Sequence, residues 1–175
     1  IINEDLVFTW TVVKPWAVEV TPENGSTVKV LEGVTVTFPD FTTSDGVAYD
    51  GETPLVLTDP DGVAHKITPY AVNQYEGAYN AISVILFDEN NEEIDGSKRG
   101  TYTLTIPAGC IYDYTDKTNT NTEFTFSWNV EGIDVTVNPA NGAEVESLKE
   151  ISFTSGDYES VSWNEAVLAE APLIF

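Results

Sequence analysis

Hydrophobic and polar residues alternate along most of the chain, and this alternation predicts β-strands between residues 16 and 130. The clearest runs are Val34–Phe38, Tyr102–Ile106 and Phe124–Val130, in which every second residue is apolar and the others are Thr, Ser or Asn. Because successive side chains of a strand point to opposite faces, the apolar set of each run is expected to face a core. The longest apolar stretch, residues 78–87, predicts a central strand.

Turns and loops separate these strands. Segments 22–25 and 59–62 combine Pro with Asn or Asp and end in Gly, so both predict tight turns. Residues 39–53 are rich in Thr, Ser, Asp and Gly and predict a long loop, as does the acidic segment 88–96. Only residues 164–170 favour a helix, with an Asn at the first position as its N-cap. Seven or more short strands at this spacing predict an all-β fold of the β-sandwich type.

The chain repeats itself. Residues 18–36 match residues 135–153 without gaps at an offset of 117, including the Pro-x-Asn-Gly turn in each copy. A second match joins residues 3–12 to residues 121–130 at an offset of 118, with a Trp at the same position in both. Two independent matches at nearly equal offsets predict about one and a half periods of a tandem repeat.

The repeat divides the chain into three parts. Residues 1–14 are expected to be the last strand of a preceding module, residues 15–131 a complete module, and residues 132–175 the first part of the next. The hinges Lys14–Pro15 and Glu131–Gly132 are so short that a semi-rigid array is expected. Since the chain lacks Met and starts inside a strand-like pattern, we expect an excerpt of a longer polypeptide; strand exchange between subunits is the alternative.

A family resemblance rests on the second half of the complete module. Gly100–Gly109, then Asp113, a polar loop and Phe124–Trp128 resemble the closing half of bacterial immunoglobulin-like (Ig-like) repeats. The opening turn Thr21–Gly25 followed by Val34–Phe38 is similar to their first strands. The resemblance implies Ig-like β-sandwich modules in tandem, one complete and two partial, in a secreted or surface-anchored bacterial protein.

These patterns together predict a non-catalytic role. We expect a semi-rigid stalk or adhesin segment at the cell surface or outside the cell, whose partners are the neighbouring modules of the same chain. The alternative is an Ig-like module that binds a glycan or protein ligand. A net charge of −22 argues against a nucleic-acid partner, because no basic face is available for phosphates. No apolar run of about 18 residues exists, so no membrane insertion is expected within this segment.

The sequence contains no group of residues whose types and spacing indicate catalysis or cofactor binding. His65 is the single histidine and lies on a short predicted strand, where a surface or edge position is expected. Cys110 is the single cysteine and lies between apolar neighbours, which indicates a small buried side chain rather than a reactive thiol. The acidic residues fall in turns instead of around one cleft. The chain is therefore predicted not to be an enzyme, with no catalytic or cofactor-binding residue and no cofactor.

Calcium is the one metal that the sequence leaves open. Asp88, Asn90, Glu92 and Asp95 supply oxygen ligands at nearly alternate positions. The EF-hand pattern fails, however, because the sixth position is Glu instead of Gly and the twelfth is Arg instead of Glu. An irregular calcium site at Asp88–Asp95, or at Asp113–Asp116, is kept as an alternative to a solvated acidic loop. No residue is assigned as a metal ligand.

Aromatic side chains are the remaining binding candidates, since an exposed ring can stack on a sugar. Trp10 and Trp128 occupy equivalent repeat positions on inward faces and are predicted to be core residues, and Trp16 is predicted to pack as well. The aromatic residues left as candidates are Trp163, Tyr49, Tyr70, Tyr75 and Tyr112. No spacing binds them into one site.

Overall fold

The fold is all-β over the part of the chain that can be described. The computed structural model describes residues 15–42, 45–72, 79–140, 142–144, 152–154 and 156. All regular structure in these ranges is β-strand. The strands are β1 (Glu19–Thr21), β2 (Thr27–Val28), β3 (Gly33–Thr37), β4 (Val47–Tyr49), β5 (Leu55–Thr58), β6 (Ala64–Ile67), β7 (Tyr70–Val72), β8 (Ala81–Ile85), β9 (Gly100–Ile106), β10 (Ile111–Asp113), β11 (Phe124–Val130), β12 (Thr136–Asn138) and β13 (Ser152–Thr154). The strand predicted within 1–14 and the helix predicted at 164–170 lie outside the described residues.

Two sheets form the body of residues 15–131, which we call the complete segment. One has four strands in the order β1-β3-β8-β7, and the other has five in the order β2-β11-β9-β5-β6. All neighbours are antiparallel except β2 and β11, which run parallel. Two further pairs, β4–β10 and β12–β13, are separate from these sheets.

The predicted inward residues form one core between the two sheets. Val34 and Val36 of the first sheet and Leu104 and Trp128 of the second belong to a single buried cluster. Each large side chain in such a cluster contributes roughly 1.5–3 kcal/mol through its removal from water. Trp128 also donates a hydrogen bond from Nε1 to the Pro22 carbonyl at 2.8 Å, so its one polar atom is satisfied. Two layers around a shared core fit a β-sandwich.

The predicted turn at 59–62 is confirmed. The Asp59 carboxylate accepts hydrogen bonds from the backbone N–H groups of Asp61 and Val63, both at 2.9 Å. Gly62 closes the turn at φ +81°, in the left-handed region that favours glycine. The turn brings β6 back antiparallel to β5, with Leu55 opposite Ile67.

The predicted loop at 39–53 is wrong in one respect. It contains the three-residue strand β4, which pairs antiparallel with β10. Val47 of β4 and Ile111 of β10 are both fully buried. The local composition is that of a loop, but the burial of these two side chains against the core stabilises a strand pair between segments some 64 residues apart (47 and 111).

The chain enters and leaves this body at opposite ends. β1 begins opposite Thr37, the last residue of β3, whereas β2 finishes beside Val130, the last residue of β11. The end of β11 lies at the same end of the body. The chain turns back between Val28 and Gly33, and β3 runs toward the end at which β1 begins. We call the two ends the Trp16 end (residues 15–17, 38–42, 45–53 and 107–123) and the Gly132 end (residues 29–32, 59–62, 86–99 and 131–134).

A strand pair after Gly132 has the same register as the pair that opens the complete segment. Glu19 lies opposite Thr37 in β1–β3, and Thr136 lies opposite Thr154 in β12–β13, each 117 positions later (19 to 136, 37 to 154). Gly25 and Gly142 take φ values of +79° and +80°. The bonds that precede Pro22 and Pro139 are both cis.

Candidate functional site

The aromatic candidates that can be described do not form one surface. Tyr49 and Tyr112 lie on the paired strands β4 and β10, but Tyr49 is opposite Ile111 and Tyr112 is opposite Ala48. Their side chains therefore point to opposite faces of the pair. Tyr70 lies on β7, the outermost strand of the four-stranded sheet, and is 58% exposed. Trp163 and Tyr75, like Trp10, lie outside the described residues.

Tyr49 and Tyr112 are further held by contacts of their own. The Tyr49 hydroxyl donates to the Thr53 carbonyl at 2.7 Å, and burial, with the charge of Asp50, raises the pKa of Tyr49 to about 12. The Lys117 ammonium lies 5.6 Å from the centre of the Tyr112 ring, within the range of a cation–π contact. Both rings are half-buried, so neither offers the open face that a sugar would need.

Trp16 packs as predicted. Its ring meets Phe38 edge-on at 5.9 Å and Phe41 at 4.7 Å between ring centres. Its Nε1 donates to Oδ1 of Asn119 at 3.2 Å, and Asn119 in turn donates to Asp113 at 3.2 Å. These contacts fasten the first residues of the complete segment to the loop after β10.

A buried asparagine organises the same end. Asn121 is 3% exposed, and its Oδ1 accepts a hydrogen bond from the N–H of Ile111 at 2.8 Å. Its Nδ2 donates to the carbonyls of Pro107 and Thr122 at 2.8 and 2.7 Å. The three bonds satisfy the N–H of Ile111 at the start of β10, the carbonyl of Pro107 between β9 and β10, and the carbonyl of Thr122 between β10 and β11. Sequence analysis did not single out Asn121, because its partners are fixed only by the tertiary fold.

In the acidic segment 88–96, carboxylates accept hydrogen bonds from nearby backbone N–H groups. Oδ1 of Asp88 accepts from the N–H groups of Asn90 at 2.8 Å and Glu92 at 2.9 Å, and these hydrogen bonds lower the pKa of Asp88. Asp95 accepts from both the N–H and the hydroxyl of Ser97, at 2.9 and 2.6 Å. The carboxylates thus stabilise two turns.

The second acidic segment behaves in the same way. Oδ1 of Asp113 accepts from the N–H and the hydroxyl of Thr115, both at 2.8 Å, and Asp116 accepts from Thr118 in the same manner. Over the described ranges of the chain, no group of three or more His, Cys, Asp or Glu side chains could hold a metal ion. We assign these carboxylates to turn formation.

The single histidine and the single cysteine lie where the sequence predicted. His65 is on β6, the outermost strand of the five-stranded sheet, with Nε2 3.5 Å from Oδ2 of Asp59. Cys110 is 1% exposed, and its thiol donates to the Pro107 carbonyl at 3.0 Å. Burial raises the pKa of Cys110 to about 12, so the reactive thiolate is scarce at neutral pH.

A shallow groove of about 510 Å³ lies at the Gly132 end. Its walls come from residues 30–32, 85–87 and 93–97, so the β2–β3 connection, the end of β8 and the acidic segment all contribute. Ile85 and Phe87 are 38% and 39% exposed at this groove. The groove is therefore an apolar surface with carboxylates on its rim.

Beside the groove, basic side chains meet the residues that follow the hinge glycine. Nη2 of Arg99 lies 2.8 Å from Oδ1 of Asp134, and Nζ of Lys29 lies 3.7 Å from Oδ2 of the same residue. Lys29 also approaches Glu131 at 3.5 Å. The hydrogen bond from Arg99 and the charge of Lys29 lower the pKa of Asp134. Basic residues are scarce in the sequence, seven in 175, and this scarcity is the signal that could have drawn attention to Lys29 and Arg99.

Comparisons with known proteins add no relative. No protein-family model matches the chain, and a search of curated proteins finds no match. In the described part of the chain, no helix has the length and apolar character needed to cross a membrane.

Proposed function

We propose that this chain is a piece of a tandem array of Ig-like β-sandwich modules, with a complete module at 15–131 between partial modules at 1–14 and 132–175. The array acts as a semi-rigid, non-catalytic stalk or spacer of a bacterial surface protein, outside the cell. Its partners are the neighbouring modules of the same chain.

The observation that carries this proposal is the position of the two chain ends. The chain enters the complete module at Trp16 and leaves it at Gly132, at the opposite end of the sandwich. Modules joined in this way follow one another along an axis instead of folding back. The hinge adds little freedom, because the N–H of Glu131 still bonds to the Val28 carbonyl at 2.9 Å.

The Ig-like assignment is supported by the strand order. In Ig sandwiches, strands A, B, E and D form one sheet, and strands G, F and C form the other. The order β1-β3-β8-β7 corresponds to A-B-E-D, and β11-β9-β5 corresponds to G-F-C, with β6 as an additional strand next to C. The pair β4–β10 is an addition at the Trp16 end.

A tyrosine at the start of β9 supports the same assignment. Many Ig-like domains carry a tyrosine near the start of strand F whose hydroxyl bonds to the backbone a few residues upstream. Tyr102 occupies this position, and its hydroxyl donates to the Asp95 carbonyl at 2.5 Å. Leu57 and Leu104, both fully buried, face each other across the neighbouring strands of the core.

The tandem arrangement is supported by the pair β12–β13. Its register repeats that of β1–β3 at the offset of 117 found in the sequence, with a left-handed glycine after each proline turn. The extracellular location rests on the resemblance of residues 100–109 and 124–128 to bacterial Ig-like repeats.

Small-angle X-ray scattering on proteins that carry one to four copies of residues 15–131 in series tests the proposal. We expect the maximum dimension to grow by about 40 Å for each added copy, as end-to-end modules of this size require. Copies joined by a flexible Gly/Ser linker of about 15 residues are the control, and their radius of gyration should not grow in proportion to the number of copies. A compact particle, in which the copies fold against one another, would contradict the stalk.

The alternative, a glycan-binding module, predicts aromatic residues gathered on one exposed face. Tyr49, Tyr70 and Tyr112 are distributed over different faces, so no observation in the described residues favours it. Binding of the chain to any polysaccharide on a glycan array would revive this alternative.

A further inference from the structure

We infer that the Gly132 end is a docking surface for the following module, on which Lys29 and Arg99 hold Asp134 between them. We call these three residues the charge clamp. The inference rests on the proposed function, since it specifies how consecutive modules are joined. The partner that fits this surface is a module with a carboxylate two positions after its hinge glycine.

The first observation is the contact of Arg99 with the following segment. Its Nη2 donates to Oδ1 of Asp134 at 2.8 Å and to the Ile133 carbonyl at 3.4 Å. Arg99 immediately precedes β9, whereas both acceptors lie beyond the hinge. One side chain of the complete module therefore holds a backbone group and a carboxylate of the next one.

The second observation is that the two oxygens of Asp134 are engaged from two different loops. Arg99 approaches Oδ1, and Lys29, in the β2–β3 connection, approaches Oδ2 at 3.7 Å. Attraction from two directions restrains both the tilt and the rotation of the segment that carries Asp134. A single ion pair would leave rotation about its own axis free.

The third observation is the hinge glycine itself. Gly132 is buried and takes φ +73°. A Cβ atom added there would lie 2.8 Å from Cγ of Arg99 and 3.4 Å from the Ser97 carbonyl oxygen. Any larger residue would be strained at this φ and would require the Arg99 side chain to shift from its position. The hinge conformation and the clamp thus depend on each other.

The joint in front of the complete module cannot contain the same clamp. At the offset of 117, Gly132 corresponds to Pro15 and Asp134 corresponds to Ala17. Ala17 has no carboxylate, and its N–H donates to Asp40 of its own module at 2.9 Å. The clamp is therefore a property of the rear joint, and the two joints of one module differ.

The charge balance makes this contact selective. The chain has 29 acidic and only seven basic residues, so acidic modules repel one another at most orientations. Two of the seven basic residues, Lys29 and Arg99, meet the following segment. Because the side chains of Arg99 and Asp134 are 62% and 73% exposed, salt should weaken the clamp. We expect it to set orientation while contributing little to the stability of either module.

Distances between spin labels in the full chain test the inference. The labels are attached at T125C on β11 and T136C on β12, both at exposed positions. Cys110 does not compete for the label, because it is buried. We expect a narrow distance distribution in the parent protein and at least a twofold broader one after Arg99→Gln or Asp134→Asn.

The matched control is Lys66→Gln, which removes an exposed ion pair with Glu89 at 3.5 Å that includes no residue of the charge clamp. It should leave the distribution unchanged. At 1 M NaCl, where the screening length is about 3 Å, the parent distribution should broaden and that of Arg99→Gln should not change further. Circular dichroism on each variant verifies that the modules remain folded.

An Arg99→Gln distribution equal to the parent's, or equal broadening by Lys66→Gln, would overturn the clamp. Either result together with rod-like scattering of the multi-copy proteins leaves the stalk intact and removes only the clamp. Compact scattering together with a broadened Arg99→Gln distribution removes the stalk and leaves the contact between the two segments.

Discussion

Different kinds of interaction stabilise the Trp16 end and the Gly132 end of residues 15–131. At the Trp16 end, the indole of Trp16 packs on Phe38 and Phe41, and the buried amide of Asn121 satisfies three backbone groups. At the Gly132 end, exposed ion pairs of Lys29 and Arg99 reach the residues after the hinge. The contacts of the first end stay within residues 15–131, whereas those of the second end reach residues beyond Gly132.

The difference between the ends matters because buried and exposed polar contacts have different energetic consequences. A buried group that loses its partner costs free energy of unfolding, since no water replaces the partner. When an exposed ion pair is removed, water solvates the remaining charge, and the free energy of unfolding changes little. We therefore expect the loss of buried contacts to change stability, and the loss of the exposed ion pairs at the Gly132 end to change mainly orientation.

The largest effect is expected from Asn121→Ala. The substitution leaves the buried N–H of Ile111 without its partner and removes the amide donor from the carbonyls of Pro107 and Thr122, which should lower the free energy of unfolding by about 3 kcal/mol. Urea unfolding measures the loss. Asn119→Ala, at a half-buried position of the same end, is the control and should cost about 1 kcal/mol. Equal losses for the two variants would show that burial of Asn121 is not the source of its effect.

A smaller effect is expected from Tyr102→Phe. This change removes the hydrogen bond to the Asp95 carbonyl but keeps the fully buried ring, so the loss should be about 1 kcal/mol. Tyr70→Phe provides the comparison, because the Tyr70 ring is largely exposed on an outermost strand. Its urea midpoint should match that of the parent. If Tyr102→Phe unfolds at the parent midpoint as well, this hydrogen bond does not stabilise the Gly132 end.

Acid should affect the Trp16 end through Asp113. Burial acts to raise the pKa of Asp113, but hydrogen bonds from Thr115, Asn119 and Asp116 outweigh it and lower the pKa below 3.8. A carboxylate with a lowered pKa in the folded state stabilises the protein above the unfolded pKa. This contribution is lost as pH falls through the folded pKa. The stability difference between pH 7 and pH 3 should therefore be smaller in Asp113→Asn than in the parent.

The stability difference between pH 7 and pH 3, measured again in 0.5 M NaCl, distinguishes the contribution of Asp113 at the Trp16 end from that of Asp134 at the Gly132 end. The pKa of Asp134 is also lowered, but by the exposed contacts with Arg99 and Lys29, which salt screens. The effect of Asp113→Asn on the pH dependence should persist in salt, and any effect of Asp134→Asn should disappear. A salt-sensitive effect at Asp113 would argue against hydrogen bonding as its cause.

The smallest effect on stability is expected from Arg99→Gln. Because the guanidinium and its carboxylate partner are mostly exposed, the urea midpoint should stay within the error of the measurement. The same variant is expected to broaden the distribution of spin-label distances, so it should change orientation without changing stability. A clear loss of stability would show that Arg99 supports its own module instead of the joint.

Residues with local signals were predicted well. The inward sets on β3, β9 and β11 follow from strict alternation, and the buried positions of Val36, Leu104 and Trp128 confirm them. The turn at 59–62 follows from residue types with known backbone preferences. Cys110 and His65 were also placed correctly, because their neighbours in sequence fix the face on which each lies.

Residues that depend on distant partners were missed. The pair β4–β10 joins a part of the predicted loop 39–53 to residues 111–113, where no strand was predicted, and the burial of Val47 and Ile111 stabilises it. Asn121 acts on Ile111 and Pro107, ten and fourteen residues away, across a chain reversal. Arg99 and Asp134 are 35 residues apart, and no spacing rule connects them.

The sequence by itself determined that this protein is all-β, which of its side chains form the core, and that a turn and its flanking residues recur after 117 positions. Those features depend on the alternation of neighbouring residues and on local backbone preferences. Only the tertiary structure decided the strand order, the opposite placement of Trp16 and Gly132, and the meeting of Lys29 and Arg99 with Asp134. These depend on which distant segments lie side by side, and that choice is made by the packing of the whole core.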